Sequence, residues 1–182
     1  MQSNKWGNHA WEFYHTVTFN YPENPMQEDK DNYKTCFENL TKILPCSICR
    51  NSFTLFYKNL PINDYLDDRN GVTYWFYIIH NLVNLKLDNK LMHFKDVILK
   101  YENNRARCGN IDMKKNKDKL LECQKPIEWN NKMQKFMEDT FNKYHKITIK
   151  EIAKMIKNNI DRPEIQHIMV NLKKYNLGED LF

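Results

Sequence analysis

Glycine is scarce, with four in 182 residues. That leaves no room for a Gly-rich phosphate loop or a G-x-G-x-x-G turn, which need glycine wherever the backbone closes on phosphate. Long apolar runs are missing too. No window approaches the roughly 20 apolar residues of a membrane span. The opening Met1-Gln2-Ser3-Asn4-Lys5-Trp6 has no apolar stretch of the kind that marks a secretory signal. No segment alternates convincingly at period two, so strands are not expected. Zinc-finger pairings, an RNP-like strand and basic blocks interleaved with aromatics are all absent. The net charge of +5 is spread over segments where Lys alternates with Asp and Glu, which reads as a solvated surface and not a nucleic-acid face. Cysteine is present five times, an odd count. Without a signal segment, a structural disulfide framework is disfavoured, and a catalytic or metal role gains weight.

What is present suits a helical protein. Hydrophobic residues make up 41% and aromatics 13%, enough for a core in one ordinary domain or a small domain with an extension. Apolar residues recur at spacings of three and four almost throughout. This predicts helices over about 8–20, 28–44, 46–60, 72–87 and 93–101, then over 127–144, 149–160 and 163–175. Tyr21-Pro22-Glu23-Asn24-Pro25, Pro45 and Pro61 punctuate the first part. Thr148 and Glu151 fit a capping box. Asp161 and Pro163 suit a helix start, and Gly178 a C-terminal turn. Residues 110–119 are polar and charged, like a linker.

Pro45-Cys46-Ser47-Ile48-Cys49 sits at the head of a predicted helix. Backbone N–H groups and the helix dipole favour a thiolate there, as a dithiol redox centre requires. The competing reading is half of a zinc site, but Cys108, Cys123 and His93 form no standard second half. A thioredoxin-like site needs a strand before the cysteines, where an amphipathic helix is predicted instead. Trp11 and His15 lie one turn apart on one face, as do His80 and Asn84. Asn81 and Asn84 sit among Ile78, Ile79, Leu82 and Val83 and need partners if buried. A planar polar cofactor or an internal hydrogen-bond network serves equally well. Cys36, in mid-helix, is read as a core thiol.

The ordered set Gly7-x-x-x-Trp11-x-x-x-His15, Tyr21-Pro22, Pro45-Cys46-x-x-Cys49 and Trp75-x-x-x-x-His80-Asn81-x-Val83-Asn84-x-x-Leu87 resembles the Erv/ALR family of FAD-linked sulfhydryl oxidases over about Trp6 to Lys90. The resemblance implies an all-α fold: a four- or five-helix bundle that holds FAD, with a helical C-terminal extension, usually a homodimer built on the first helices. It divides the chain into an FAD-binding oxidase domain over 1–108, a linker over 109–126 and a small helical domain over 127–182. It implies that Cys46 exchanges with protein dithiols and that Cys49 sits against the isoalloxazine. It places Gly7, Trp11, His15, Trp75, His80, Asn81 and Asn84 around the cofactor, with Val83 and Leu87 packed beside it. Lys90 meets the pyrophosphate, one position later than the family's usual lysine. The implied activity passes electrons from protein thiols through the C-x-x-C pair and FAD to dioxygen, giving hydrogen peroxide.

Departures from the family are local. Met92, His93 and Phe94 stand where members often have a cysteine, and Lys95 and Tyr101 are the adenine-side stand-ins. Cys108 and Cys123 are read as structural or free, or as a pair relaying electrons to Cys46–Cys49. The alternative reading is a non-catalytic helical assembly protein whose C-x-x-C binds metal or forms a stable disulfide. Family settings include the mitochondrial intermembrane space and virions or host cytoplasm for large DNA viruses.

Overall fold

The computed structural model describes residues 2–105 and 127–159, and among these the secondary structure is helical with no strand. Helix α1 spans Ser3–Phe19. It starts five residues before the periodicity predicts, because Gln2 provides no side-chain cap and leaves no start signal in the sequence. Tyr21-Pro22 follows its end. The Tyr21 hydroxyl donates to the Leu66 carbonyl at 2.9 Å, and Arg69 Nε donates to the Tyr21 carbonyl at 2.7 Å. Helix α2 spans Gln27–Ile43, and its start is tied by the Met26 N–H donating to Asp29. Pro45 then separates it from α3, Ser47–Asn59.

A 3-10 turn, Ile62–Tyr65, leads to α4, Arg69–Leu87. Asp68 caps α4, accepting from the Gly71 N–H at 2.9 Å. This helix is apolar on nearly every side, so it must run through the centre. It packs against α1, α3 and α5, Phe94–Asn104. It also packs against α6, Asn131–Tyr144, and α7, Ile149–Asn159. Asn130 caps α6 through the N–H groups of Lys132 and Met133. The predicted box at α7 is present: Thr148 N–H donates to Glu151 at 2.8 Å, and Glu151 N–H donates back to Thr148 Oγ1 at 3.2 Å.

Met133, Tyr144, Ile149, Ile152, Ala153 and Ile156 join the same hydrophobic cluster as the core of α1–α5. The predicted helix over 163–175, Asp161, Gly178, the whole 109–126 segment, Cys108 and Cys123 lie outside the described residues. Among the described residues no helix is long and apolar enough to cross a membrane. One expectation is corrected. Cys36 is exposed on α2, because Tyr33, Phe37 and Leu40 take the inward face and Cys36 stands one position off it.

Trp75 is fully buried beside Phe37 and Tyr57, and its indole N–H donates to the Leu60 carbonyl at 2.9 Å. Trp75→Phe is expected to cost about 1–2 kcal/mol, since a buried carbonyl loses its donor. Urea unfolding checks this, and an unchanged midpoint and slope would remove the assigned role.

Candidate active site

Cys46 is the N-cap of α3, and its sulfur accepts the Cys49 N–H at 3.3 Å. Burial raises the Cys46 thiol, but hydrogen bonds from the Cys49 thiol and the Cys49 and Ile48 N–H groups outweigh it, and the net shift is downward. Burial raises the Cys49 thiol, and its hydrogen bond to Cys46 and the charge there push it further, to about 11. Lys86 opposes this. The dithiol therefore places its first negative charge on Cys46, at the helix N-terminus.

Both sulfurs border a cavity of about 510 Å³ between α1, α3, α4 and the end of α2. This is within the usual range for small-molecule sites, about 300–1,000 Å³. Helix α1 contributes Trp6, Gly7, Asn8 and Trp11; α4 contributes His80, Val83, Asn84, Lys86 and Leu87. Trp11 and His80 stack with ring centroids 3.9 Å apart and planes within 4°. The Trp6 indole N–H is buried and, among the described residues, meets no hydrogen-bond partner. Flat rings, an unanswered donor, a half-buried cation and a thiol suit a planar, polar, anionic cofactor such as FAD. Among the described residues no group of three His, Cys, Asp or Glu could hold a metal ion.

Of the residues named from sequence, Gly7, Trp11, Cys46, Cys49, His80, Val83, Asn84 and Leu87 meet at the cavity. His15 lies behind it: Nε2 is 3.0 Å from His80 Nδ1, and its ring stacks on Tyr101 at 4.6 Å. Trp75 faces the Leu60 side. Asn81 clamps the segment after α4, donating to the Met92 carbonyl at 3.0 Å and accepting the Met92 N–H at 2.9 Å. Lys90 is exposed beyond the helix end, and Lys95 lies over the Trp129 ring at 4.9 Å. Sequence reasoning missed Trp6, Asn8, Ser52 and Lys86. Lys86 was within reach of it, since three residues after Val83 lies the same helical face.

Burial holds both imidazoles neutral. It takes His80 down to about 3, with Lys100 adding to the shift. It takes His15 well below its usual value, with His80 and Lys100 adding to it. A depressed folded-state value means the unfolded chain binds protons the folded one refuses, so stability falls as pH drops through the unfolded value, about 6.5. Two such groups are expected to remove about 1.4 kcal/mol between pH 7 and pH 6. Denaturant unfolding at the two pH values measures it, and His80→Gln should remove about half.

Residues 8–104 match the model of the Erv1 / Alr family. The chain is 34% identical over 99 residues to a probable FAD-linked sulfhydryl oxidase of Acanthamoeba polyphaga mimivirus, covering 54% of this chain and 69% of that one. It is 23% identical over 109 residues to the FAD-linked sulfhydryl oxidase ERV2 of Saccharomyces cerevisiae, covering 60% of this chain and about half (53%) of the relative. The crystal structure of the yeast Erv1 core shares the fold, with a TM-score of 0.53 at 22% identity, covering 56% of this chain and 85% of that one. The family match takes in most of α1, all of α2 through α5, the wall of the cavity apart from Ser3, Asn4, Trp6 and Gly7, and both of its cysteines, and the chain belongs to the Erv1 / Alr family.

Proposed function

We propose that the chain is an FAD-linked sulfhydryl oxidase that makes disulfides in protein thiols. The observation that carries this reading is the Cys46–Cys49 pair opening from the N-terminus of α3 into a cavity walled by Trp11 and His80. Trp6, Gly7, Trp11, His80, Val83, Asn84 and Leu87 are the residues that hold the cofactor. When bound, FAD supplies the two-electron acceptor that the dithiol reduces, with dioxygen, taken to hydrogen peroxide, as the final acceptor.

The chain's own residues perform the thiol chemistry. In the oxidised pair, a substrate thiolate attacks the Cys46 sulfur. The Cys46–Cys49 bond breaks, a bond from substrate sulfur to Cys46 forms, and the electron pair leaves on Cys49. A second substrate thiolate then attacks the substrate sulfur, closing the substrate disulfide and releasing Cys46 as a thiolate. Cys46 suits both steps: it lies nearer solvent, and its thiolate is favoured by the N–H groups of the helix start.

The homodimer on the first helices belongs to the same reading. Phe13 is 62% exposed on the outer face of α1, where a second copy would cover it. Oxygen uptake with dithiothreitol, together with the visible spectrum of the purified chain, tests the oxidase. A colourless chain that consumes no oxygen when supplied with FAD and dithiol would overturn it.

A further inference from the structure

Among the residues bordering the cavity, the titratable groups are Tyr14, Cys46, Cys49, His80 and Lys86. His80 is held neutral by burial, and burial raises Tyr14, with Cys36 adding to the shift. Lys86 is thus the fixed charge among the cavity's described lining. Its position is specified. The ammonium donates to Ser52 Oγ, and Ser52 in turn donates to the Ile48 carbonyl at 2.9 Å. Ser52 lies three residues after Cys49, on the same face of α3, so the contact carries the α4 lysine across to the first turns of the cysteine helix. Arg50, the nearest cation on α3 itself, turns away and donates to the Leu44 carbonyl. The polar groups that α1 brings to the cavity, those of Ser3, Asn4, Trp6, Asn8, Trp11 and Tyr14, include no cation.

We propose that Lys86, held in place by Ser52, is a positioning cation that supports the Cys49 thiolate when Cys49 is the leaving group of the first exchange. This rests on the oxidase reading and deepens it. In the free dithiol, two influences that raise Cys49 come from Cys46: its hydrogen bond and its charge. Both vanish once Cys46 is bonded to substrate sulfur. What remains at Cys49 is burial, opposed first by Lys86 and then by a hydrogen bond from the Cys49 backbone N–H. The electron pair released by the breaking S–S bond then arrives on a sulfur that the Lys86 charge acts on across the shared cavity wall, and a better-stabilised leaving thiolate leaves faster. The same cation disfavours return of that thiolate onto Cys46, because attack would remove charge from beside it.

The state to be tested is one in which Cys46 exerts neither influence, and Cys46→Ala provides it. In that background, the rate at which iodoacetamide alkylates Cys49 is followed against pH on the full-length protein, with the Cys49 peptide resolved by mass spectrometry. Lys86→Met is expected to raise the midpoint by about one pH unit, which slows alkylation about tenfold below it. Lys86→Arg should restore most of the rate, and Ser52→Ala, which frees the lysine without discharging it, should give an intermediate shift. A midpoint unmoved in both Lys86→Met and Ser52→Ala overturns the proposal, as does a Lys86→Met chain that merely unfolds earlier while its midpoint stays put. The titration needs no turnover. A shifted midpoint beside a parent chain, Cys46 intact, that fails to oxidise dithiols supports the lysine and counts against the oxidase, and an unmoved midpoint beside an active parent does the reverse.

Discussion

Cys49→Ser and Cys46→Ser are each expected to lower dithiothreitol oxidation by at least about a thousandfold, with residual flavin binding intact. The two losses should have different origins. Without Cys46 no sulfur stands at the N-cap of α3, where the Cys49 N–H reaches it, so the mixed disulfide cannot form. Without Cys49 there is no Cys46–Cys49 bond for a substrate thiolate to break, but the Cys46 thiolate can still attack an existing disulfide, forming a bond to one of its sulfurs while the other leaves as a thiolate, and nothing within the pair then resolves the adduct. Offered a protein whose cysteine is activated as its thionitrobenzoate disulfide, Cys49→Ser should therefore accumulate a covalent adduct as Cys46 displaces thionitrobenzoate, visible as a mass increase removed by reductant, and Cys46→Ser should not. Because the roles form one sequence, the double variant should be no worse than either single. Oxidase rate and intact mass, measured on the same preparations, check both halves. Appreciable turnover in either single variant would remove the assignment of these sulfurs.

The sulfurs were legible because a local signal and a chemical need coincide. Pro45 stops one helix, and Cys46 starts the next at the position where backbone donors are unanswered. Trp11 and His80 were legible as ring-bearing positions on helical faces, although their mutual stacking is tertiary. Where the sequence expectation and the cavity part company, helix geometry gives the reason. Trp75 precedes His80 by five residues, well off its face, and so points toward Phe37 and Leu60. Asn81 follows His80 by one, a turn of about 100°, and its amide reaches the Met92 backbone in place of the cavity. Lys90 lies past Asp88, whose left-handed backbone, φ 57°, ends α4 and redirects the chain outward. The cation that does border the cavity comes one helical turn earlier. Beyond residue 104, the three-and-four spacing predicted helices over 127–144 and 149–160, and there Met133, Ile149, Ile152, Ala153 and Ile156 are buried. That α7 would lie on α3 and α4, and α6 on α4 and α5, is a matter of long-range packing that no periodicity encodes.

Gly71→Val is expected to destabilise the chain by about 3 kcal/mol, and Gly71→Ala by about 2 kcal/mol. Intrinsic propensity points the other way, since alanine is favoured over glycine within a helix by about 1 kcal/mol. The contacts decide the sign. A Cβ at position 71 would lie 2.3 Å from the Tyr65 carbonyl oxygen and 2.6 Å from Tyr144 Cζ. The Tyr144 ring stacks on Tyr65 at 5.7 Å and closes the C-terminal end of α6 over the start of α4. A ring can swing aside, but a backbone oxygen in the preceding 3-10 turn cannot, because that turn is joined to α4 by only a few residues and Tyr21 is hydrogen-bonded to Leu66 within them. Relief must therefore come from the start of α4, which loosens the Asp68 cap on the Gly71 N–H. Shortening the ring in the Gly71→Ala, Tyr144→Leu double variant should accordingly restore little, whereas a clash carried by the ring alone would be largely rescued. Gly71, Tyr65 and Tyr144 do not border the cavity, so flavin content at saturating FAD should survive in the folded fraction. Urea unfolding of the three variants separates these cases, and a Gly71→Ala chain more stable than the parent would show that the close approach beside Tyr65 does not govern this corner of the fold.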